Sequence, residues 1–596
     1  MIRFTLTRTR FVRLAPAFLL PALAACAQPG GVHSASGANS GPVTVGIVAI
    51  NDFHGALEPP KAAVTASDGK GGTVAVPAGG AAWLASAVDT VRGKYTYSLT
   101  VSAGDMIGAT QLSSALFLDE PAIGVMNRIS VDYNAIGNHE FDRGVDELLR
   151  KQNGGCQQLT TLKPCRLEKF GGAKFTYLGA NAVKPDGTTL FPATAIRTFG
   201  SGKRQVKVGI IGLTLEATAD LSSREGLKGI RFADEADTIN GQVPYLKAQG
   251  ADAIVVLIHQ GGYTKGEPGP DGCANLTGEI GPILDRLDPR VDVVVSGHTH
   301  WAYVCNYAQY NPAKPILLTS AGVQGLMVTD ITLEIDPATD RVVAKRAHNV
   351  IVQSGGYTGR NGPVEPTAIY PQFAPRKDVQ DYVGSYVDAS KLEIQRPVGK
   401  LAGEVRRPGG DSSGDGGSLG NLITDAQLAA TRSAGAQIAL MNPFGIRAPH
   451  SIVPAADGSV TFGQIYAVQP FTNNLVTQTL TGAQLKEVLE QGLDDNQPKQ
   501  RLSVSAGFAY SYDMTRPAGS RIVTMTLDGK PIDPAADYRV TTNSFLANGG
   551  DSFAGLARQR DAVIAPMTDV EALEAWLSTG GMRAVPGETR SSEAKR

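Results

Sequence analysis

Five short polar motifs in the first half of the chain contain nearly all of its residues suited to binding a hard or borderline metal. They include five of the eight histidines. In order they are Asn51-Asp52-Phe53-His54, Gly104-Asp105, Gly137-Asn138-His139-Glu140, His259 and Gly297-His298-Thr299-His300. Carboxylate oxygens and imidazole nitrogens in this mixture suit a centre that binds two divalent cations and cleaves phosphate esters. The sequence therefore predicts two-metal phosphoesterase chemistry.

Each motif follows a short run rich in Val, Ile, Leu or Ala, as expected of buried parallel strands. The runs are residues 43–50, 98–103, 131–136, 253–258 and 291–296. Helical patterns, such as those at 81–92 and 234–249, lie between them and predict a layered α/β domain. Ligands of such sheets collect beyond the carboxyl ends of the strands, so the five motifs are expected to converge there.

Length and charge limit the classes of function. A chain of 596 residues is too long for one core and predicts two globular domains. The formal net charge is −1, with 42% hydrophobic and 19% charged residues, as in an ordinary globular protein. Because no excess of basic residues exists, we expect no nucleic-acid polymer as a partner.

The first 26 residues are predicted to be a lipoprotein signal peptide. A basic segment precedes an apolar one at 14–25, and Leu23-Ala24-Ala25-Cys26 resembles a bacterial lipobox. Cleavage before Cys26 and its lipidation would leave the protein exported and tethered to a membrane, in the periplasm or at the cell surface, by a flexible segment at 27–41. The alternative is an ordinary signal peptide cleaved near a chance cysteine. The apolar segment is too short to span a bilayer.

Four further cysteines are expected to form disulfides, since export favours them. The favoured pairs are Cys156–Cys165 and Cys273–Cys305. Zinc binding by the same four residues is the competing interpretation, although no C-x-x-C spacing supports it.

The composition divides the chain into a first domain at 42–350, a linker at 351–396 and a second domain at 397–585. The linker is crowded with Gly and Pro at 353–375 and then shows a helical pattern. Helices are predicted in the second domain at 419–433 and 481–492, the latter capped by Thr481. The polar residues 586–596 are predicted to be a disordered tail.

The motif series NDFHG, GD, GNHEFD, a lone His and GHTH resembles the calcineurin-type metallophosphoesterases. The second domain narrows the resemblance to the secreted bacterial 5′-nucleotidases, a family that includes UDP-sugar hydrolases; the resemblance extends over residues 43–570. It implies a layered αββα metallophosphoesterase domain followed by an α+β substrate-binding domain. It also implies two divalent ions, with Zn, Mn, Co and Fe all compatible with the ligands. The implied ligands are Asp52, His54, Asp105 and His300 for one ion, and Asp105, Asn138, His259 and His298 for the other.

By the same resemblance, His139 and Asp142 are the catalytic pair. A His139 imidazolium oriented by Asp142 would stabilise the charge that develops in the transition state. The alternative is a structural histidine that caps a helix.

The resemblance places substrate selection in the second domain. Asn442 and Arg447, in Asn442-Pro443-Phe444-Gly445-Ile446-Arg447, resemble the family's NGGGIR motif, in which Arg binds phosphate and Asn contacts the nucleoside. Phe444 stands where the family has a glycine. Many relatives carry a further arginine before the Gly420-Asn421-Leu422 segment, and here Arg406 or Arg407 would have to replace it.

Phe471 and Phe545 match the two aromatics between which the family stacks a nucleobase. Asp551 matches the acid that binds the ribose hydroxyls, and Asn138 would also contact the phosphoryl group. Core packing is the alternative role for a single Phe. The polar, glycine-rich surroundings of both rings favour a pocket instead.

These residues predict metal-dependent hydrolysis of nucleoside 5′-monophosphates to nucleoside and phosphate outside the cytoplasm. The alternatives are a UDP-sugar or dinucleotide pyrophosphatase, a 2′,3′-cyclic-nucleotide phosphodiesterase with 3′-nucleotidase activity, and a non-catalytic nucleotide-binding surface lipoprotein. Loss of ligand residues would favour the last, and no predicted ligand position is lost.

Overall fold

A computed structural model describes residues 41–596, except 161, 223, 266–268, 360–361, 410–413, 472, 496–498, 588–589 and 595–596. The predicted signal peptide, Cys26 and the tether up to residue 40 lie outside the described residues. Pro42–Arg596 forms one compact unit. Among the helices of the described part, none combines the length and the apolar character needed to cross a bilayer.

The first lobe is built on two six-stranded sheets. The first sheet has the strand order Arg341–Ile351, Met327–Asp336, Val43–Ile50, Ser98–Ser102, Tyr133–Ala135, Thr176–Leu178. The second has the order Ala302–Asn306, Leu317–Ala321, Val293–Ser296, Ala253–His259, Val206–Thr214, Thr194–Phe199. Within each sheet, the strands that lead into the motifs run parallel to one another, so their carboxyl ends lie on the same edge of that sheet.

Helices cover the outer faces of both sheets. Against the first sheet lie Ala81–Arg92, Glu120–Arg128 and Gly144–Asn153, and against the second lie Glu235–Ala248 and Ile280–Arg286. The space between the sheets is filled from both, for example by Ile47 and Val255. Strand Ala253–His259 is buried at every position, which explains its uninterrupted apolar run. The predicted αββα layering is confirmed.

Shorter elements complete the first lobe. Two-stranded sheets join Ala62–Ser67 to Thr73–Ala78, Ala182–Val183 to Arg231–Phe232, and Tyr357–Gly359 to Gly362–Val364. The short helices are Leu112–Ala115, His139–Phe141, Gly202–Arg204, Thr218–Leu221, Arg224–Leu227 and Tyr307–Gln309.

The predicted linker packs against the first lobe. Its helix, Lys377–Gln395, inserts Val379 and Val383 into the core beneath the first sheet. The buried Gln353 amide donates hydrogen bonds to the carbonyl oxygens of Thr367 and Tyr370. These contacts tie the glycine- and proline-rich segment to the end of the first sheet.

The second lobe is a mixed α+β structure. Its five-stranded sheet has the order Ser503–Val504, Ile438–Met441, Asp537–Asn543, Asn474–Thr481, Val563–Thr568. A four-stranded sheet has the order Lys530–Pro531, Ile522–Leu527, Phe508–Tyr512, Ser591–Glu593. A three-stranded sheet has the order Ser459–Thr461, Pro397–Leu401, Met582–Arg583. A two-stranded sheet joins Val405–Arg406 to Ser451–Ile452. The helices are Gly417–Thr431, Arg432–Ala434, Pro443–Gly445, Phe462–Val468, Gly482–Gln491, Ser544–Ala547, Gly550–Ser552, Ala554–Arg558 and Asp569–Ser578.

Several local predictions can be compared directly with the structure. Thr481 caps its helix through a reciprocal capping box with Gln484. Both predicted disulfides, Cys156–Cys165 and Cys273–Cys305, are formed.

The prediction of a disordered tail at 586–596 is wrong for Ser591–Glu593, which pairs in parallel with Phe508–Tyr512. Arg590 explains the difference, because it makes a bidentate salt bridge with Asp425 next to this strand.

The segment that follows His259 is held by a titratable contact. His348 Nδ1 lies 2.6 Å from Asp271 Oδ2, and Asp271 Oδ1 accepts a hydrogen bond of 2.7 Å from the Asn349 N–H. The Asp271 hydrogen bond raises the pKa of His348 despite partial burial; Asp330 adds to this effect and Lys94 opposes it.

We expect His348→Gln to destabilise the protein in a pH-dependent manner. Because the folded-state pKa is raised, the stabilisation is complete below the unfolded pKa of about 6.5 and is lost as pH rises through the folded value. The contact is largely exposed, so the loss in unfolding free energy at about pH 5.5 should stay under about 1 kcal/mol and vanish near pH 9. Urea unfolding at both pH values measures it; equal losses would contradict the assignment.

Candidate metal centre and cleft

The structure brings the predicted ligands together as two adjacent groups. One group is Asp52, His54 and His300, and the other is Asp105, His259 and His298; within each group the ligand atoms lie within 4.8 Å of one another. Asp105 joins the groups, since its Oδ2 lies 3.0 Å from His259 Nε2 and 3.7 Å from His54 Nε2.

Asn138 completes the second group. Its Oδ1 lies 3.1 Å from His259 Nε2 and 3.1 Å from His298 Nδ1. All seven predicted ligand residues therefore lie in one centre, at the carboxyl ends of strands from both sheets.

Left-handed backbone turns aim most of these side chains. Five of the seven ligand residues have positive φ: Asp52 (48°), His54 (47°), Asp105 (52°), His298 (70°) and His300 (60°). Such conformations cost about 1 kcal/mol or more for residues other than Gly and often occur at functional sites. In an extended segment the rings of His298 and His300 would lie on one face, but neither residue is extended. Successive left-handed turns separate the two rings, so that each joins a different group.

In His54 and His259, the ring nitrogen without a proton points towards other hydrogen-bond acceptors. His54 Nδ1 lies 2.8 Å from the Gly108 carbonyl oxygen, and His259 Nδ1 lies 2.8 Å from that of Ala103. A carbonyl can only accept, so Nδ1 carries the proton in both rings. His259 Nε2 then faces the Asp105 carboxylate and the Asn138 carbonyl oxygen. Such an arrangement is stable only with positive charge between these atoms, which fits a divalent cation.

The electrostatics agree with this fit. Burial lowers the pKa of His54 and of His298 to about 3, so both imidazoles are neutral, as ligation requires. Burial opposes ionisation of Asp105, but His259 and His139 outweigh it and hold the pKa of this carboxyl well below its usual value. Burial likewise lowers the pKa of His259, but Asp105 outweighs it and raises the value to about 9. The negative charge around His259 thus attracts a cation, whether a proton or a metal.

Two neighbouring polar residues hold the ligand loops. The buried Glu140 carboxylate accepts hydrogen bonds from the N–H groups of Asp105 (2.9 Å), Met106 (3.0 Å) and Gly137 (2.6 Å). A Cβ atom on Gly137 would lie 2.1 Å from Asp105 Oδ1, so only glycine permits this approach. Asn51 Nδ2 donates to Asp52 Oδ2 at 2.7 Å and so orients that carboxylate.

His139 lies beside this centre without belonging to either ligand group. Its Nδ1 is 2.8 Å from Asp142 Oδ2, and its backbone N–H donates to Asp105 Oδ1. Although burial favours the neutral ring, Asp142 and Asp105 outweigh it and raise the pKa of His139. The predicted pair is therefore in contact, and the ring is suited to carry positive charge.

The second lobe supplies the facing wall of a cleft. Phe471 stacks on His139, with ring centroids 5.5 Å apart and an interplanar angle of 16°. Arg447 Cζ lies 5.3 Å from the Phe471 centroid. Burial, together with the positive charge of Arg447, lowers the pKa of His54 and of His300. Arg447 of the second lobe therefore lies close enough to act electrostatically on the candidate metal centre.

The remaining predicted substrate residues form a second cluster on the same lobe. Asn442 Nδ2 donates to Asp551 Oδ2 at 2.6 Å. Phe545, which is half-buried, lies against Gly550 beside Asp551, and a Cβ atom on that glycine would collide with the ring. These three residues converge, as the motifs predicted.

Comparisons with known proteins agree with this architecture. Residues 46–302 match the calcineurin-like phosphoesterase family, and residues 397–558 match the 5′-nucleotidase C-terminal domain. A 5′-nucleotidase precursor from Thermus thermophilus superposes with a TM-score of 0.67 at 27% identity, covering 93% of this chain and 100% of that one. The chain belongs to the calcineurin-like phosphoesterases that carry a 5′-nucleotidase C-terminal domain.

Two curated relatives are longer than this chain. Endonuclease YhcR of Bacillus subtilis (strain 168) is 30% identical over 90% of this chain and 39% of its own length. Cell wall protein Lmo0130 of Listeria monocytogenes serovar 1/2a is 30% identical over 87% of this chain and 64% of its own length. The chain thus spans less than two thirds of either relative.

The NPFGIR motif contacts one of the two arginines that precede the Gly420-Asn421-Leu422 segment. Of the two arginines considered as replacements, Arg406 is exposed, whereas Arg407 is buried. The Arg407 guanidinium lies 5.0 Å from the Phe444 ring centroid and donates to the Ile446 carbonyl oxygen. Phe444 therefore serves as a platform for Arg407.

Asn51 and Glu140 stand inside the motifs, but the sequence pattern did not show which ligand residues they support. Gln500 was missed: its side chain opposes the burial that raises the pKa of Asp551, and it lies in a polar loop with no recognisable pattern, so only the tertiary structure reveals it.

We expect Glu140→Gln to lower the affinity for divalent metal by about 10- to 100-fold, as loss of a supporting contact often does. The introduced NH2 group would face backbone N–H donors and loosen the Asp105 loop. Calorimetric titration of metal into chelator-treated protein measures the effect.

Glu334→Gln provides the matched control, because this glutamate pairs with Arg346 on the surface of the same lobe. Its metal affinity should equal that of the wild type. Wild-type affinity in Glu140→Gln would show that the three hydrogen bonds do not position the ligands.

Proposed function

We propose that this protein hydrolyses nucleoside 5′-monophosphates to nucleoside and phosphate with the help of two divalent cations. The observation that carries the proposal is the stacking of Phe471 on His139 with Arg447 alongside. This contact supports the proposal because an arginine and an aromatic ring of one lobe, of types suited to phosphate and to a nucleobase, lie beside the candidate metal centre of the other.

Asp52, His54, Asp105 and His300 would hold one ion, and Asp105, Asn138, His259 and His298 the other. Zn, Mn, Co or Fe would suit this mixture of oxygen and nitrogen ligands. When bound, two such cations supply Lewis-acid activation of water and of the phosphoryl group. The Asp105 carboxylate contributes the shared ligand, because it faces both groups of histidines.

The residues around the cations act on the phosphoryl group. The planar Arg447 guanidinium binds two phosphate oxygens at once, and the Asn138 amide can donate to a third. His139, held by Asp142, presents its Nε2 side to the cleft and stabilises the negative charge that develops as the ester bond breaks. A protonated His139 can also donate the proton that the leaving oxygen needs.

The nucleoside binds to the second lobe. Phe471 and Phe545 stack on the two faces of the base, and Asp551 accepts hydrogen bonds from the ribose hydroxyls while Asn442 orients its carboxylate. Stacking is tolerant of base identity, so a range of nucleotides is expected.

We further propose that the protein is exported and anchored through a lipid on Cys26, with domains at 42–350 and 397–585. The two disulfides and the similarity to a cell wall protein support export. The lipobox at residues 23–26 supports the anchor.

We expect purified protein supplied with divalent metal to hydrolyse AMP faster than UDP-glucose, NAD or 2′,3′-cyclic AMP. Chelation should abolish the activity, and readdition of Mn, Zn, Co or Fe should restore it. Colorimetric phosphate release measures AMP hydrolysis, and chromatography detects the products of the other three.

The other outcomes identify the alternatives. A preference for UDP-glucose or NAD would indicate a pyrophosphatase, and a preference for 2′,3′-cyclic AMP a cyclic phosphodiesterase. Equal inactivity of metal-free and metal-loaded protein on all four esters would indicate a nucleotide-binding protein.

We expect His139→Gln to lower kcat for AMP by about 10²- to 10⁴-fold, because the variant cannot carry the positive charge or donate the proton. Steady-state kinetics with saturating metal measure the effect. His348→Gln serves as the control histidine variant and should keep the wild-type kcat. Unchanged phosphate release from AMP by His139→Gln would refute a catalytic role for this residue.

A further inference from the structure

The contact between Phe471 and His139 crosses the cleft between the lobes. Phe471 comes from the loop that follows helix Phe462–Val468, whereas His139 belongs to the first lobe. The two rings are nearly parallel, at an interplanar angle of 16°. A ring that served only to stack on a nucleobase would have no need to lie on this histidine.

Among the described residues, few other contacts restrain the face of the His139 ring. Asp142 holds one nitrogen of its edge at 2.8 Å, and His54 approaches with a T-shaped geometry at a centroid distance of 5.2 Å. A single hydrogen bond at one edge leaves the imidazole free to tilt. The Phe471 ring restricts this movement because it covers one face of the imidazole.

Phe471 also lies close to a second residue of the cleft. Arg447 Cζ is 5.3 Å from the Phe471 centroid, a distance at which the face of an aromatic ring attracts a cation. The ring therefore contacts both His139 and Arg447, the two residues proposed to act on the phosphoryl group.

We propose that Phe471 is a positioning residue for His139 and holds the imidazole against Asp142. This inference rests on the proposed function and extends it: the ring that stacks on the base also prepares the residue that acts on the phosphate. Base binding and chemistry are thereby joined at one side chain.

The kinetic test compares AMP with ribose 5-phosphate, a phosphate monoester that has no base. We expect Phe471→Leu to lower kcat about 10-fold on both substrates, because His139 loses the ring that fixes its orientation. Phe471→Tyr should restore kcat, because it keeps the ring. If Phe471→Leu raised only KM for AMP and kept the wild-type kcat on ribose 5-phosphate, the ring would be a base platform alone.

Phe462→Leu is the matched control. Phe462 stands at the start of helix Phe462–Val468, which precedes Phe471, and it also lies near a cation, since Arg396 Cζ is 4.7 Å from its centroid. Its contacts lie away from His139, so kcat should equal the wild-type value on both substrates.

A substrate-free measurement tests the contact itself. The chain has eight histidines, so ¹³Cε1-labelled histidine gives a simple NMR spectrum in which His139→Gln identifies one resonance. Ring-current shielding by Phe471 should disappear in Phe471→Leu and persist in Phe471→Tyr and Phe462→Leu. An unshifted His139 resonance in Phe471→Leu would overturn the proposal. Because this readout needs no turnover, it stays decisive even if wild-type protein fails to hydrolyse AMP, which would refute only the proposed function.

Discussion

The close approach of carboxylates and imidazoles in a buried pocket is the constraint on which the rest of this structure depends. Asp52, Asp105 and His259 are almost completely inaccessible to solvent, and burial of such charges is costly unless they are paired. Backbone carbonyls fix the protons of His54 and His259 on the nitrogens that face away from the centre. The remaining lone pairs and carboxylate oxygens then converge, and only cations can balance them.

That convergence has a cost in backbone strain. Five ligand residues adopt left-handed conformations directly after strands, where an ordinary residue would be destabilised. Two features offset this strain because they hold the turns in place. They are the hydrogen bonds from three N–H groups to Glu140 and the close approach of Asp105 at Gly137. The two packed sheets provide the rigid platform from which these turns project.

The second lobe adds to this centre what the metal ligands cannot supply. Arg447 brings a permanent positive charge close to Phe471, which contacts His139 across the cleft. Arg407 lies buried against Phe444, which explains how an aromatic residue is accommodated in this motif. The residues proposed for selectivity and for catalysis therefore meet at the surface between the lobes.

The sequence alone determined the ligand types, their order and the elements that carry them. Short apolar runs predict strands from local patterns, and the sequence gives the type of every side chain directly. Asp105, His259 and the helix capped by Thr481 could therefore all be anticipated. The two disulfide pairs were also foreseen, from export and spacing. Backbone conformation and contacts between distant segments could not be predicted in this way.

Only the tertiary structure decided that His298 and His300 occupy left-handed turns and that the tail strand Ser591–Glu593 pairs with Phe508–Tyr512. It also decided that Gln500 reaches Asp551 and that Phe471 covers His139. The physical reason is common to these cases. Each depends on the distance and angle between segments far apart in the chain, which packing sets and no local pattern encodes.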